Sequence, residues 1–475
     1  MTNVRARPSP SPIVHATRGA IDCTVAQKRW VLAATILASV ISYIDESVVN
    51  VALPAIGRDL AASPATLQWV INAYTLCLAA FLLVGGAAGD RLGRRRVFIA
   101  GLVLFGTASL GCGLSRGAAE LIAGRAVQGL GAALLIPCSL AIIGAAFPEN
   151  ERGRAIGTWA GFSAIAAAIG PLLGGWMVDH LAWQAIFLIN PFLCLGALWI
   201  AARHLPESRD DDAPPGLDWP GALLAFAGLG SLVFGLIALP EKGLDDRMVE
   251  AALAGGVALL VLFIWHEARA AAPMMPLGLF RSATFSGINA LTLLLYGALG
   301  GAFFLLPFDL ISVHGNSATE AGAVFLPFTL IMAVLSRWSG GLLDRFGARL
   351  PLIAGPAIVA VGFVLFALAG PTTSYALAFL LPVSVVGLGM AVTVAPLTTT
   401  VIAAVPGRQT GVASGINNAV SSVASLLAIA VFGALALHDA LALPSALAEG
   451  IRAAMWVAAG LSLAAAVAAA LTIAR

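Results

Sequence analysis

Fourteen apolar stretches, each long enough to cross a membrane as a helix, constrain this chain more than any other feature of its sequence. A helix rises about 1.5 Å per residue, so roughly 20 apolar residues cross the ~30 Å hydrocarbon layer. Lipid offers no hydrogen-bond partner to the backbone, and runs this long and uniformly apolar form helices rather than barrel strands. The sequence therefore predicts an all-α integral membrane protein with spans at residues 30–52, 67–89, 97–115, 118–147, 155–178, 183–202, 217–239, 248–267, 283–308, 321–343, 351–370, 374–404, 409–437 and 451–473.

The composition excludes an ordinary soluble globule and several classes of site. Of 475 residues, 60% are hydrophobic and 11% are charged, whereas soluble domains carry roughly a quarter charged residues. The net charge of +2 gives no basic field that would attract nucleic acid. The histidines and cysteines lack metal-ligand spacing, and no nucleophile or phosphate-loop motif occurs, so we expect no cofactor, no metal and no catalytic residues.

Lys and Arg residues indicate the orientation of the chain in the membrane. With the N-terminus inside, most of them fall in cytoplasmic loops, as the positive-inside rule requires. We therefore expect a multi-pass protein of the cytoplasmic (inner) membrane with both termini cytoplasmic and a disordered tail over residues 1–29. The exceptions on the outside are Arg58, Arg116, Lys242, Arg247 and Arg452.

An internal repeat divides the chain into two related halves. GAAGDRLGRRRVFIAG (86–101) aligns with GGLLDRFGARLPLIAG (340–355), and a second echo pairs 129–131 with 387–389. We expect six-helix halves at 30–202 and 283–475, separated by cytoplasmic linkers and two inserted helices at 203–282. Duplicated membrane folds place their binding site between halves that rock against each other.

The repeated loop combines an acid, glycines and arginines at a tight reversal of the chain. A basic loop of this kind can be a topology anchor, but its recurrence favours a conformational latch. A glycine-rich stretch in the fifth span is either a packing seam or a bend used in transport, and the two readings are compatible. These candidate gating residues are Gly86, Asp90, Arg91, Gly93, Arg94, Arg95, Asp344, Arg345, Gly347 and Arg349, with Gly170, Pro171, Gly174 and Gly175 in the fifth span.

Three charged residues lie inside apolar spans. Asp45 and Glu46 are adjacent in YIDESVVNVALP, and Arg125 lies in LIAGRAVQGLGAALLIP. A buried charge in a span costs about 3 kcal/mol or more unless it is paired or hydrated. We interpret the three residues as a proton-coupling group, with a structural buried pair as the alternative for Arg125.

These motifs resemble those of the major facilitator superfamily, and within it the fourteen-helix drug:proton antiporter family. The 2–3 loop, the helix 4 stretch with Arg125, AIGPLLGG in helix 5, and YIDESVVNVALP with LQWVINAYTL in helices 1 and 2 carry the resemblance. It implies a fold of two six-helix halves, a latch at the 2–3 loop, proton coupling linked to Arg125 and an exporter rather than an importer. The family has an acid at Asp45, whereas Glu46 is this chain's own addition.

The function expected is a proton-coupled antiporter that exports small amphiphilic or cationic compounds. The resemblance implies that Asp45 carries proton coupling. A cation favours carboxylates and aromatic faces, so we assign substrate selection to Glu46. An exporter or symporter of one metabolite is the alternative, and an enzyme or a receptor is disfavoured. Expected partners are protons, the bilayer and a small-molecule substrate, on a monomeric protein. Candidate substrate contacts, for which packing is the competing role, are Glu46, Asn50, Trp69, Asn72, Tyr74, Tyr296, Phe303, Asp309, Asn417 and Asn418.

Overall fold

The structure, a computed structural model, describes residues 23–210, 216–370, 373–406, 409–437 and 444–473, without the side chains at 164, 168, 336–340, 343, 344 and 444. Within that part of the chain, 14 helical segments are long and apolar enough to cross a membrane, which confirms the predicted spans. The helices are α1 (Val25–Asp59), α2 (Pro64–Leu92), α3 (Arg94–Gly113), α4 (Ala118–Ala146), α5 (Glu149–His180), α6 (Ala185–His204), α7 (Trp219–Lys242), α8 (Arg247–Glu267), α9 (Ala283–Phe308), α10 (Ala318–Ala323), α11 (Phe325–Phe346), α12 (Arg349–Leu368), α13 (Leu381–Ala403), α14 (Thr410–Ala436) and α15 (Pro444–Thr472).

Helices α10 and α11 together form the tenth span, and two π-helical turns extend neighbouring spans. Asp309–Val313 continues α9, and Ala376–Leu380 leads into α13. The face where α1 begins and α15 ends is called the inner face below, and the opposite face the outer face.

The helix starts follow local capping chemistry. Thr24 accepts a hydrogen bond from the Gln27 backbone and Gln27 bonds back, which forms a capping box at the start of α1. Helix α1 therefore begins at Val25, and the expected tail over 1–29 is wrong for residues 25–29. Residues 1–22 of that tail lie outside the described residues.

The two six-helix halves repeat the same helix pairings. In the first half α1 packs on α5 and α6, α2 on α4, and α3 on α4 and α6. In the second half α9 packs on α14 and α15, α11 on α13, and α12 on α13 and α15. The pairings match one for one, as expected if each half descends from the same six-helix unit.

The inserted helices lie at the side of the molecule. Helix α7 packs on α2 and α14, one from each half, and α8 packs mainly on α7. At their inner ends the Asp218 carboxylate caps α7 and lies 2.7 Å from His266 Nε2. Burial opposes ionisation of Asp218, but hydrogen bonds from Glu267, the Gly221 backbone and His266 hold its pKa below the usual range. These bonds join the two helices into one hairpin.

Helix α5 is tightly packed toward its outer end and open toward its inner end. An added Cβ would collide with α1 of the same half at Gly174 and with α10 of the other half at Gly175. At Gly153, Gly157 and Gly161, nearer the inner face, a Cβ would meet nothing within 4 Å. The molecule is therefore closed between α5 and α10 at the outer face and open along the inner half of α5.

Candidate functional site

A buried polar network surrounds Asp45 in the first half. Arg125 Nη1 lies 2.5 Å from Asp45 Oδ2, and both side chains are 1% exposed. Gln128 Nε2 and Asn190 Nδ2 donate to Asp45 Oδ1 at 2.7 and 2.8 Å. The same two amide groups also donate to Ser109 Oγ. Helices α1, α3, α4 and α6 are thus tied together around one carboxylate.

Arg125 is held on all sides. Its Nε donates to the Val70 carbonyl at 3.1 Å, and its Nη1 also reaches Gln128 Oε1 at 2.7 Å. The Tyr74 ring lies 4.3 Å from its Cζ atom, within the range of a cation–π contact. A charge this deep is tolerated because it is paired and hydrogen-bonded. This geometry satisfies the structural alternative for Arg125 and leaves its part in proton coupling a prediction.

The sequence analysis missed Ser109, Gln128 and Asn190. Gln128 follows Arg125 by one helical turn, and a polar side chain there in an apolar span was the available signal. Asn190 and Ser109 lie on other helices, far away in the sequence. Only the packing of α6 on α1 and α3, and of α3 on α4, brings them into the network around Asp45.

Glu46 lies on a different side of α1 from Asp45. Its side chain is exposed, although the residues around it on the helix are largely buried. No hydrogen bond or ion pair engages its carboxylate among the described residues. It lies within electrostatic range of Tyr43, Tyr74 and Arg125, and Tyr43 in turn is near Tyr296 of the second half. Glu46 therefore presents a free carboxylate where the two halves face each other.

Several predicted substrate contacts are packing residues in this structure. Trp69 packs on the apolar cluster between α2, α7 and α14. Phe303 makes edge contacts with Phe325 and Phe328, at 5.2 and 5.3 Å between ring centroids. Asn417 donates to Asn289 and Thr292 and so joins α14 to α9 within the second half. The observed contacts of Trp69, Phe303 and Asn417 are those of packing residues, which was the alternative to substrate binding.

Other predicted contacts keep unused polar atoms. Asn72 is fully buried, and neither side-chain atom has a hydrogen-bond partner among the described residues. Asn50 Oδ1 and the Tyr74 hydroxyl are likewise buried without one. Asn418 is exposed on α14.

Asp309 lies in the π-helical turn that continues α9. It lies 3.4 Å from His314 Nδ1, at a cavity of about 70 Å³ lined by α9, α12 and α15 of the second half. The hydrogen bond and charge of Asp309 raise the pKa of His314 above its ordinary value, against the opposing effect of partial burial. In this conformation Asp309 is engaged by His314, and its role as a substrate contact stays a prediction.

The 2–3 loop at the inner face is tied to its own half. Gly93 has φ +108°, a left-handed conformation that glycine adopts without steric cost. Arg94 pairs with Asp90 at 2.7 Å, and the Arg95 guanidinium donates to carbonyls at the end of α6. Glu207 in the following linker accepts the Arg95 backbone N–H at 3.0 Å. Gly86 packs on Pro137, whereas Arg91 is exposed.

The matching loop of the second half repeats this anchoring. Gly347 also has a positive φ, +70°, and Arg349 donates to the Ala470 carbonyl at the end of α15. Arg345 is exposed, and the Asp344 side chain lies outside the described residues. Arg95 and Arg349, which align in the repeat, therefore make equivalent contacts: Arg95 fastens α3 to α6, and Arg349 fastens α12 to α15.

The glycines of α5 form a seam with two different neighbours. Gly170 and Gly174 face Ser47 and Val48 of α1, in the same half. Gly175 faces the backbone of Ala318 on α10, and Gly322 of α10 faces the Pro171 carbonyl. The packing-seam interpretation accounts for these contacts, and they include a contact between the halves.

Comparison with known proteins supports a transport fold. The family model described as Major Facilitator Superfamily matches residues 35–429. The chain is 35% identical over 405 residues to the multidrug resistance protein Stp of Mycobacterium tuberculosis, covering 85% of this chain and 74% of that protein. It is 38% identical over 393 residues to the cephamycin export protein CmcT of Amycolatopsis lactamdurans, covering 82% of this chain and 80% of that protein.

A third relative and a solved structure are also transport or resistance proteins. The tetracenomycin C resistance and export protein of Streptomyces glaucescens is 35% identical over 391 residues, covering 82% of this chain and 72% of that protein. An inward-facing, unoccupied bacterial homologue of the human lysosomal transporter Spinster superposes with a TM-score of 0.69 at 19% identity, covering 95% of this chain and 98% of that chain. At this identity the likeness shows the fold alone. The chain belongs to the major facilitator superfamily and is a membrane transporter, not an enzyme.

Proposed function

We propose that this protein exports small amphiphilic compounds from the cytoplasm in exchange for protons, by alternating access of a site between its two halves. The relatives named above are resistance and export proteins, which supports efflux as the direction. The observation that carries the proposal is the free Glu46 carboxylate, exposed between the halves and without an ion-pair partner.

The exchange follows from a single carboxylate with two competing ligands. Glu46 can hold a proton or the positive end of a substrate, but not both at once. If the protein changes conformation with either the proton or the substrate bound, it exports one substrate molecule for each proton that enters. Each proton entering the cell gains about 2.3 kcal/mol per 100 mV from the membrane potential.

The roles proposed here for Asp45 and Glu46 differ from those expected from the sequence. Asp45 is fully engaged with Arg125, Gln128 and Asn190, so a proton would have to displace strong charge-assisted bonds there. We assign Asp45 and Arg125 to the framework that positions α1, and Glu46 to proton and substrate exchange. Tyr43, Tyr74 and Tyr296 supply the aromatic surroundings that organic cations favour.

The protein acts as a monomer in the cytoplasmic membrane with both termini in the cytoplasm, since the arginine-rich loops lie on the inner face. In that orientation the open cleft faces the cytoplasm, the side from which an exporter takes its substrate.

Transport in everted vesicles with a pH-sensitive dye tests the proposal. The compounds are tetraphenylphosphonium as a permanent cation, a neutral amphiphile and an amphiphilic carboxylic acid. We expect the cation to dissipate the proton gradient in vesicles with the protein and not in vesicles with the Glu46→Gln variant. If no compound moves protons, the antiport proposal fails.

A second candidate on the same fold is an exporter or symporter of a single metabolite. It would give proton movement with one compound class only, or movement in the opposite direction, in the same vesicles.

A further inference from the structure

The outer face carries a contact between the halves in which a carboxylate takes part. Asp179, one residue before the end of α5, accepts hydrogen bonds from the backbone N–H groups of Ala318 and Thr319 at 3.1 and 2.8 Å. It also accepts one from the Thr319 hydroxyl at 2.6 Å. Asp179 belongs to the first half, and both donors belong to α10 of the second half.

The surrounding contacts make this junction a seal. One and two turns along α5, Gly175 and Pro171 lie directly against the backbone of α10, so the two helices approach without side chains between them. A cavity of about 380 Å³ borders Asp179 and is also lined by Arg58, Asn316 and Ser317. The carboxylate is thus at the margin of the seal, where separation of the halves would expose it first.

We propose that Asp179 is the outer gate residue of this transporter: its carboxylate, bonded to the start of α10, holds the outer face closed while the cleft is open to the inside. This inference rests on the alternating-access mechanism proposed above. For the outer face to open, α10 must leave α5, and all three bonds to Asp179 must break. Hydrogen bonds to an ionised group are stronger than neutral ones, so their loss weighs on the equilibrium between the two conformations.

Hydrogen–deuterium exchange of the purified full-length protein tests the gate without any substrate. In Asp179→Asn we expect a roughly tenfold shift toward the outward-open state, because an amide offers one acceptor oxygen where the carboxylate uses two. Deuterium uptake should rise at the outer ends, in peptides from 171–180 and 315–325. It should fall at the inner half of α5, in peptides from 149–165, because that side closes when the outer side opens.

Two further variants make the test specific. Thr319→Val removes one of the three bonds and should produce a smaller change in the same direction at both faces. Asp59→Asn is the matched control: Asp59 is also an outer-face acid, but its bonds from Trp183 and Gln184 stay within the first half. The control should change uptake only near the start of α6.

Deuterium uptake at the two ends of α5 distinguishes a gate from a local contact. A rise confined to the outer peptides, with the inner half unchanged, would mean that Asp179 only stabilises its local contact, and the gate assignment would be overturned. No change at either face would overturn it too. A reciprocal change in a protein that moves no protons with any tested compound would support the gate and contradict the proposed function.

Discussion

Adjacent acids in α1 have opposite environments. Asp45 is 2% exposed and sits in a network of four polar side chains, whereas Glu46 is exposed and unpaired. Successive side chains on a helix point about 100° apart. Asp45 therefore points into the interior of the first half, whereas Glu46 points toward the space between the halves. Substitutions at the two positions should therefore have different consequences.

Replacing Asp45 should destabilise the protein. Asp45→Asn leaves the Arg125 cation buried without its counter-ion, a change that typically costs about 3–5 kcal/mol. We expect the apparent unfolding temperature of the protein in detergent to fall by several degrees. The double variant Asp45→Asn with Arg125→Gln removes both charges and should regain part of the loss, whereas equal losses in the single and double variants would argue against the pair.

Replacing Glu46 should change transport and leave stability almost unaltered. Glu46→Gln keeps the shape of an exposed side chain that has no bonded partner, so the unfolding free energy should stay within about 0.5 kcal/mol. Proton movement driven by tetraphenylphosphonium should be lost, because the group that exchanges a proton for a cation is gone. A variant that still couples the cation to protons would refute the assignment of Glu46.

At the scale of helices, close backbone approach and buried polar bonds hold the bundle together. The seam of α5 relies on glycines that admit α1 on one side and α10 on the other. The π-helical turn after α9 carries Asp309 into contact with His314, whose ring also packs edge-on against Phe379. The stability of the outer end of α9 therefore depends on the charge of His314.

The outer end of α9 should loosen as the pH rises. The pKa of His314 is raised by its bond to Asp309, so the folded protein binds this proton more tightly than the unfolded chain does. Its stabilising effect is therefore complete below the ordinary histidine pKa, about 6.5, and is lost as the pH passes through the higher pKa of the folded state. Deuterium uptake in peptides from 309–317, corrected for intrinsic exchange, should increase over that window.

His314→Gln supplies the control for this pH effect. The variant should show the high uptake at every pH, with no window of change. A wild-type protein whose corrected uptake does not vary between pH 6 and 9 would contradict the role given to the pair.

At the scale of the whole molecule, the two halves meet at the outer face through tightly packed backbone. A Cβ at Gly322 would overlap the Pro171 carbonyl, which belongs to the other half. Any side chain at Gly322 would therefore force α5 and α10 apart. The inward-open state depends on that closure.

Gly322→Val should trap the transporter away from the inward-open state. We expect the rate of transport in vesicles to fall by roughly tenfold or more, since the valine side chain meets backbone that cannot yield locally. Gly460→Val on α15 is the control, because a Cβ at Gly460 meets nothing within 4 Å. Equal transport by the two variants would show that close approach of α5 and α10 is not needed.

The sequence by itself determined the spans, the two related halves and the inserted pair of helices. In a membrane every backbone group must be satisfied within its own helix, so local hydropathy alone marks the spans, and the repeat marks the halves. It also placed three charged residues, Asp45, Glu46 and Arg125, inside apolar spans. Tertiary structure decided what each of them contacts, because Gln128 and Asn190 reach Asp45, and Ser109 reaches both amides, only through the packing of α4 and α6 on α1 and on α3. The same holds for Asn417 and Asp179: their partners lie on helices far away in the chain, and no local pattern records which helix faces will meet.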